Sequence, residues 1–211
     1  MNSYKLTLYF SLRSPFARRI RIALQRLNIP AVLREVDLFK ILPPDFVSVG
    51  PVGRVPVLKI EGPSDGPVAL YESEIILNYL HDNYGRKIWP DSLEQKLRIQ
   101  EASALCVGCY EYLVLYYLEK LRKAQDPELL KEYQRVIENT FEALEAKCVG
   151  GMPFEVSKLQ LTQAGYDLQT LLDYAEIRMP SLDPRSRFPR LKAFQERQSP
   201  RQDLILTKPP A

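Results

Sequence analysis

Residues 6–27 read LTLYFSLRSPFARRIRIALQRL, and the change of pattern within them decides how the first part of the chain folds. Leu6, Thr7, Leu8, Tyr9 and Phe10 have the branched and aromatic composition of a pleated strand. Ser11, Leu12 and Arg13 make a loop. Ser14 then takes an N-cap position and Pro15 the first helical one, where its missing N–H costs nothing. Phe16, Ile20, Ala23, Leu24 and Leu27 recur at helical spacing, with Arg18, Arg19, Arg21 and Arg26 largely on other faces. A hydroxyl is thereby set where a strand passes into a helix whose N-terminus carries partial positive charge. Such a position can hold an anion.

Outward from this stretch the pattern continues in short units. Asn28-Ile29-Pro30 ends the helix, because proline disfavours helical geometry in the residue before it. Ala31 to Leu38 alternates as a second strand, and one short helical turn fits around Asp45 to Val49 in an otherwise irregular, Pro- and Gly-rich segment. Val55 to Ile60 is a third strand. The turn residues Gly62 to Pro67 join it to a fourth, Val68 to Tyr71, as a hairpin. Ile75, Ile76, Tyr79 and Leu80 mark an amphipathic helix that starts at Ser73 and ends near Gly85. The order βαβ-ββα predicts a small α/β domain over residues 1–85, a mixed sheet with helices packed on it. Residues 86–91 read as a linker. Beyond it no strand is evident over 92–211, and Leu93 to Ala124, Glu128 to Lys147 and Thr162 to Arg178 are helical patterns broken by Asp126-Pro127, Gly150, Gly151 and Pro153. Leu191 to Arg197 adds a last helix after Pro180, Pro184 and Pro189. The second domain is therefore expected to be all-α.

Composition removes several classes of function. The 211 residues are 45% hydrophobic, ample for one large core or two small ones. No apolar run reaches a membrane-spanning length, and the N-terminus lacks the pattern of a secretion signal. Three cysteines give no disulfide framework and suit a reducing compartment. A net charge of +3 without a basic run gives no footprint for nucleic acid. A soluble cytoplasmic protein is expected.

Ser14 to Leu24, then Gly53-Arg54-Val55-Pro56-Val57-Leu58, then Tyr71-Glu72-Ser73-Glu74-Ile75-Ile76, in this order and spacing, resemble the cytosolic glutathione S-transferases. The Ser-Pro-Phe start resembles the serine-type members, tau-like with zeta-like features, and related bacterial proteins. Leu172-Asp173-Tyr174 and Arg178-Met179-Pro180 resemble the sixth helix of bacterial members. The resemblance implies a thioredoxin-like N-terminal domain, a helical C-terminal domain contributing an acceptor-substrate pocket, and a homodimer. It also implies glutathione as co-substrate, a small hydrophobic electrophile as its partner, and a detoxifying transferase activity. Isomerase, peroxidase or etherase activity stays open, although Pro15-Phe16 replaces the Ser-Cys pair of zeta-like isomerases. The alternative is a non-enzymatic member that keeps the fold as a ligand- or protein-binding module.

The resemblance gives each motif a task. A free thiol is only a few per cent thiolate at neutral pH. A charge-assisted hydrogen bond from the Ser14 hydroxyl adds about 1.5–3 kcal/mol, and the helix N-terminus about 0.3–1 kcal/mol. Together they lower the thiol pKa by roughly 1–3 units. Ser14 as a plain helix cap is compatible with this, since a hydroxyl accepts and donates at once. Unlike cysteine, Ser14 forms no mixed disulfide, which favours conjugation over thiol exchange. Val55, before a proline that is cis in the family, is expected to offer its backbone to the cysteinyl residue in the manner of an added strand. Arg54 and Lys40 are candidates for the glycine carboxylate, or else solvated surface charges. Ser73 is expected to cap the helix and bind the γ-glutamyl carboxylate, with Glu72 facing the ammonium group. Leu12 and Tyr110 are candidates for the acceptor pocket.

Other conspicuous residues have plainer readings. Cys106-Val107-Gly108-Cys109 lies in a helical run without a second pair to complete a metal site, so no metal is expected. His81 follows a core face, and Trp89 is expected to pack between the domains. Tyr110, Tyr112, Tyr116 and Tyr117 are either helix packing or pocket. Gly165 stands where the family's sixth helix carries an acid that completes a capping box with Thr162, a loss of about 1 kcal/mol.

Overall fold

The computed structural model describes residues 4–63, 66–85, 87–149, 153–157 and 160–210. Ser64 and Asp65 of the hairpin turn, Arg86 of the expected linker and the helix breakers Gly150 and Gly151 lie outside them. The chain divides into two compact units, Met1–Ile88 with Leu206–Pro210, and Trp89–Ile205.

In the first unit, β1 (Lys5–Phe10), α1 (Pro15–Arg26), β2 (Val32–Glu35), α2 (Pro44–Val49), β3 (Val57–Glu61), β4 (Val68–Tyr71) and α3 (Ser73–Asn83) follow one another. The four strands form one sheet in the order β2-β1-β3-β4. β1 pairs in parallel with β2 and antiparallel with β3, and β3 pairs antiparallel with β4. This is the thioredoxin-like arrangement. β1 is central, and Leu6, Thr7, Leu8, Tyr9 and Phe10 are buried consecutively, as expected of a strand covered on both faces. β2 is a short edge strand, four residues rather than the eight expected, and all four are exposed.

Of the apolar stripe of α1, Ile20, Ala23 and Leu24 are buried, whereas Phe16 and Leu27 at its two ends are only half-buried; Ala17 and Ile22, outside the stripe, are buried as well. Its arginines depart from expectation, for Arg18 and Arg19 are buried as well. The last residues also depart from it. Leu206–Pro210 belong to the first unit, because the Arg21 guanidinium donates to the carbonyls of Thr207 at 3.3 Å and Leu206 at 3.5 Å. Arg21 itself lies over the Phe10 ring at 4.8 Å.

The second unit is largely helical, with α4 (Leu93–Lys120), α5 (Pro127–Lys147), α6 (Gln163–Arg178), α7 (Pro184–Arg187), α8 (Pro189–Gln198) and α9 (Gln202–Ile205). α4 packs against both α5 and α6. Every residue of α6 from Gln163 to Ala175 is buried, so this helix is the unit's axis. The reading of no strand beyond the linker needs one correction: β5 (Glu155–Ser157) and β6 (Gln160–Leu161) pair as a small antiparallel ribbon ahead of α6. Segments of three and two residues carry no periodicity that a sequence pattern could register.

The ribbon also explains Gly165. Thr162 caps α6, its Oγ1 accepting from the Gly165 N–H at 3.2 Å and donating to the Pro153 carbonyl at 2.6 Å. A Cβ at position 165 would run into the carbonyl oxygen of Phe154. The acid of a capping box has no room there, and the Thr162 hydroxyl binds the preceding segment instead.

Candidate functional site

The register of the first sheet brings the three motif segments to one end. Tyr9 of β1 faces Val57 of β3, and Val57 faces Tyr71 of β4. The C-terminal end of β1, the start of β3 and the end of β4 therefore lie side by side. From that edge leave the loop Ser11–Ser14, the segment Arg54-Val55-Pro56 and the pair Glu72-Ser73.

Ser14 is the N-cap of α1. Its extended backbone (φ −94°, ψ 119°) turns the chain into the helix, and its Oγ accepts from the Ala17 N–H at 3.2 Å. The donor in that bond is the amide, so the hydroxyl proton remains able to serve a second partner. No acidic residue lies in the first turn of α1, so none there offsets the positive end of the helix dipole. Ser14 and the neighbouring Leu12 are half-buried.

The Val55–Pro56 peptide bond is cis. Val55 is buried, and the strand pairing of β3 with β1 begins after it, at Val57. Arg54 is exposed. Lys40 is also exposed and has Asp37 at 3.6 Å, a surface pair of small energetic weight.

The N-cap position of α3 falls one residue earlier than expected, on Glu72 and not on Ser73, and the Glu72 side chain makes no capping bond. Glu72 is the N-cap of α3, with φ 63° and ψ 123°, and its carbonyl accepts from the Ile76 N–H at 3.1 Å. A positive φ in a residue with a side chain costs about 1–3 kcal/mol and is concentrated at functional sites. Ser73 is not a cap. It is the first residue of the helix, 4% exposed, and its Oγ accepts from Arg19 Nη1 at 3.0 Å. Arg19 Nη2 reaches Glu74 Oε2 at 3.3 Å, and the Arg19 side chain is fully buried. Sequence reasoning missed Arg19. An arginine beside an apolar stripe looks like a surface residue, and no local signal marks the partner 54 positions away.

Tyr110 is a second correction. It is fully buried inside the helical unit, and its hydroxyl donates to the Asp167 carbonyl at 2.6 Å. A side chain sealed and tethered in this way lines no acceptor pocket. Asp167 is itself a hub, accepting from Ser103 Oγ at 2.6 Å and Gln163 Nε2 at 3.0 Å. Among the other tyrosines, Tyr112 packs edge-on against Tyr133, and Tyr117 carries the Arg178 guanidinium 4.4 Å from its ring centre. Cys106 and Cys109 are buried in α4, and burial pushes the Cys109 thiol far up. His81 is buried, with Nδ1 accepting from the Ile88 N–H at 3.3 Å, and Trp89 is buried too.

Comparison with known proteins gives a consistent picture. The N-terminal domain model of the glutathione S-transferases matches residues 8–88. A glutathione S-transferase of Dianthus caryophyllus is 30% identical over 148 residues, which are 67% of this chain and 64% of that protein. A maleylacetoacetate isomerase of Aspergillus fumigatus is 38% identical over 82 residues, 38% of this chain and 36% of its own length. The matched stretches thus span less than two thirds of either relative. Among solved structures, a glutathione S-transferase of Methylobacterium radiotolerans, in complex with glutathione sulfonate, is 26% identical with a TM-score of 0.85, covering 98% of this chain and 96% of that one. A glutathione transferase family member from Pseudomonas fluorescens with bound glutathione, 24% identical, has a TM-score of 0.86 over 98% of this chain and 100% of that one.

Proposed function

Because the chain belongs to the glutathione S-transferase family, we propose that it binds glutathione at the sheet end described above and uses Ser14 to activate the thiol for attack on a small apolar electrophile. One observation carries this reading: the pairing of Tyr9 with Val57 and of Val57 with Tyr71 gathers the Ser14, Val55 and Glu72-Ser73 segments at a single edge. Support comes from the similar bacterial proteins solved with glutathione sulfonate or glutathione.

In this reading the extended tripeptide lies along the start of β3. The Val55 backbone pairs with its cysteinyl residue as an added strand does. The Val55 side chain is buried in the domain, so recognition there is by main chain. The γ-glutamyl end meets Ser73 and Glu72, the carboxylate on the hydroxyl at the helix start and the ammonium on the Glu72 acid. Arg54 is the cation for the glycine carboxylate, ahead of Lys40, which is already beside Asp37.

The sulfur then falls to Ser14. The thiol proton leaves to solvent, and the Ser14 hydroxyl donates to the resulting thiolate while its oxygen keeps the Ala17 N–H. That bond and the helix dipole lower the thiol pKa by roughly 1–3 units, which raises the thiolate from a few per cent to between about a quarter and nearly all of the bound thiol near neutral pH. The thiolate forms a carbon–sulfur bond with the electrophile, and the leaving group departs with the electron pair. Ser14→Ala is expected to remove most turnover in an aryl-halide conjugation assay while the protein still binds immobilised glutathione. Full turnover by that variant would refute Ser14 as the activating group.

A further inference from the structure

We propose that Arg19 is a positioning residue that makes the Ser73 subsite selective for a ligand carrying an α-carboxylate, an inference that rests on the glutathione reading above. Two positions in the N-terminal half of α1 thereby serve one ligand. Ser14 at the N-cap faces the sulfur, and Arg19, one and a half turns on, supports the γ-glutamyl end from behind.

The geometry is specific. Arg19 is fully buried, yet two of its nitrogens are spent on adjacent residues of α3, Ser73 at 3.0 Å and Glu74 at 3.3 Å. Because Nη1 donates to Ser73 Oγ, the serine hydroxyl is the acceptor there, and its own proton is left for another partner. An incoming carboxylate is the partner that needs a donor at this place. A guanidinium bonded to the same oxygen also polarises the hydroxyl and makes it a stronger donor.

Charge balance points the same way. Ser73 lies between two acids, Glu72 and Glu74. Without a cation this pair would repel a carboxylate brought to the serine, against the attraction of the helix N-terminus. Arg19 holds the Glu74 carboxylate and places a positive charge directly behind the Ser73 hydroxyl. Glu72, exposed on the strained turn, stays available for the substrate's ammonium. The subsite then reads one ammonium and one carboxylate on the same carbon, the signature of a γ-glutamyl group.

Titration calorimetry on the full chain with two ligands tests this: glutathione, and 4-aminobutanoyl-cysteinyl-glycine, which lacks only that carboxylate. Wild type is expected to prefer glutathione. Arg19→Met is expected to weaken glutathione by about tenfold or more, as for a lost charge-assisted contact, with the analogue changed by less than about twofold. In the conjugation assay the KM for glutathione should rise while kcat at saturation holds. Arg19→Lys, which keeps the charge but not the two-pronged reach, is expected to fall between the two, and it serves if the methionine variant fails to fold. Adding Ser73→Ala to Arg19→Met should cost little more, because both act through one contact. Equal weakening of the two ligands would show that Arg19 merely supports the fold and would overturn the proposal, as would unchanged selectivity in both variants. Wild-type protein that binds neither ligand would remove the glutathione reading itself, and this proposal with it.

Discussion

At the scale of single residues, the Ser14 oxygen has two tasks that do not compete. It caps the start of α1 by accepting the Ala17 N–H, and its proton remains able to serve a second partner. A sulfur in the same place would alter the chemistry more than the fold, because a thiolate at a helix N-terminus attacks disulfides. Ser14→Cys is therefore expected to form a mixed disulfide with oxidised glutathione, visible as a mass increase reversed by reductant, whereas wild type gains none at this position. Glu72 supports a second expectation at this scale. Its positive φ places an exposed carboxylate beside Ser73, so Glu72→Gln removes the charge that would face the ligand ammonium and leaves the turn intact. Glutathione should bind about tenfold more weakly by titration calorimetry; an unchanged affinity would remove Glu72 from the site. The residue scale is also where the sequence said least. Ser14 was legible because a cap and a following proline are local signals. Ser73 looked like a second cap by the same signals, and only the buried Arg19 from another helix shows that its oxygen accepts from a guanidinium instead of a helix N–H.

At the scale of elements, local periodicity carried most of the reading, and contacts between elements account for what it lost. α1, β4 and α3 follow from their patterns, whereas β2 shrank because an exposed edge strand has no buried face to enforce its length. The β5–β6 ribbon was invisible for want of length, and with it the reason for Gly165. The Phe154 carbonyl occupies the space of a Cβ there, so Gly165→Ala must push the ribbon off α6. A loss of about 1–3 kcal/mol is expected in chemical denaturation, the usual range for overpacking. Helix-favouring alanine would otherwise stabilise, so a rise in stability would contradict the close approach. The α4–α5 corner has its own signature. Glu119 Oε1 accepts from the Asp126 N–H at 2.8 Å and Oε2 pairs with Arg122 at 3.0 Å. The Asp126 N–H first, and Arg122 after it, hold the Glu119 carboxyl below the ordinary carboxylate value of 4.5, against the opposing effect of burial. A depressed folded-state pKa means that the unfolded chain binds the proton more readily. The stabilisation is therefore complete above 4.5 and is lost as the pH falls through the lowered value. Thermal unfolding should place Glu119→Gln below wild type at neutral pH, with the two curves approaching each other in acid; a constant gap would show that the charge plays no part.

At the scale of the whole molecule, the two units bury their own cores, yet apolar side chains remain in water where a stable surface has little use for them. Ile75 on α3 is 52% exposed, and Leu93 and Leu97, one turn apart on α4, are 69% and 56% exposed. Scattered apolar residues on a surface need no explanation, but two leucines at i and i+4 form a stripe on one helix face. The family resemblance in the sequence raised the expectation of a homodimer, and this stripe is where that expectation can be tested. In a two-fold dimer the same patch serves both copies, so one change is felt twice. Light scattering after size-exclusion chromatography is expected to give about twice the 24.4 kDa chain mass at micromolar concentration. Leu93→Lys with Leu97→Lys should shift the mass toward that of one chain without loss of helical circular dichroism, because both positions are exposed and lysine is a good helix former. A wild-type protein that runs as a single chain would rule out the dimer. A double variant that stays dimeric would show that the contact lies elsewhere.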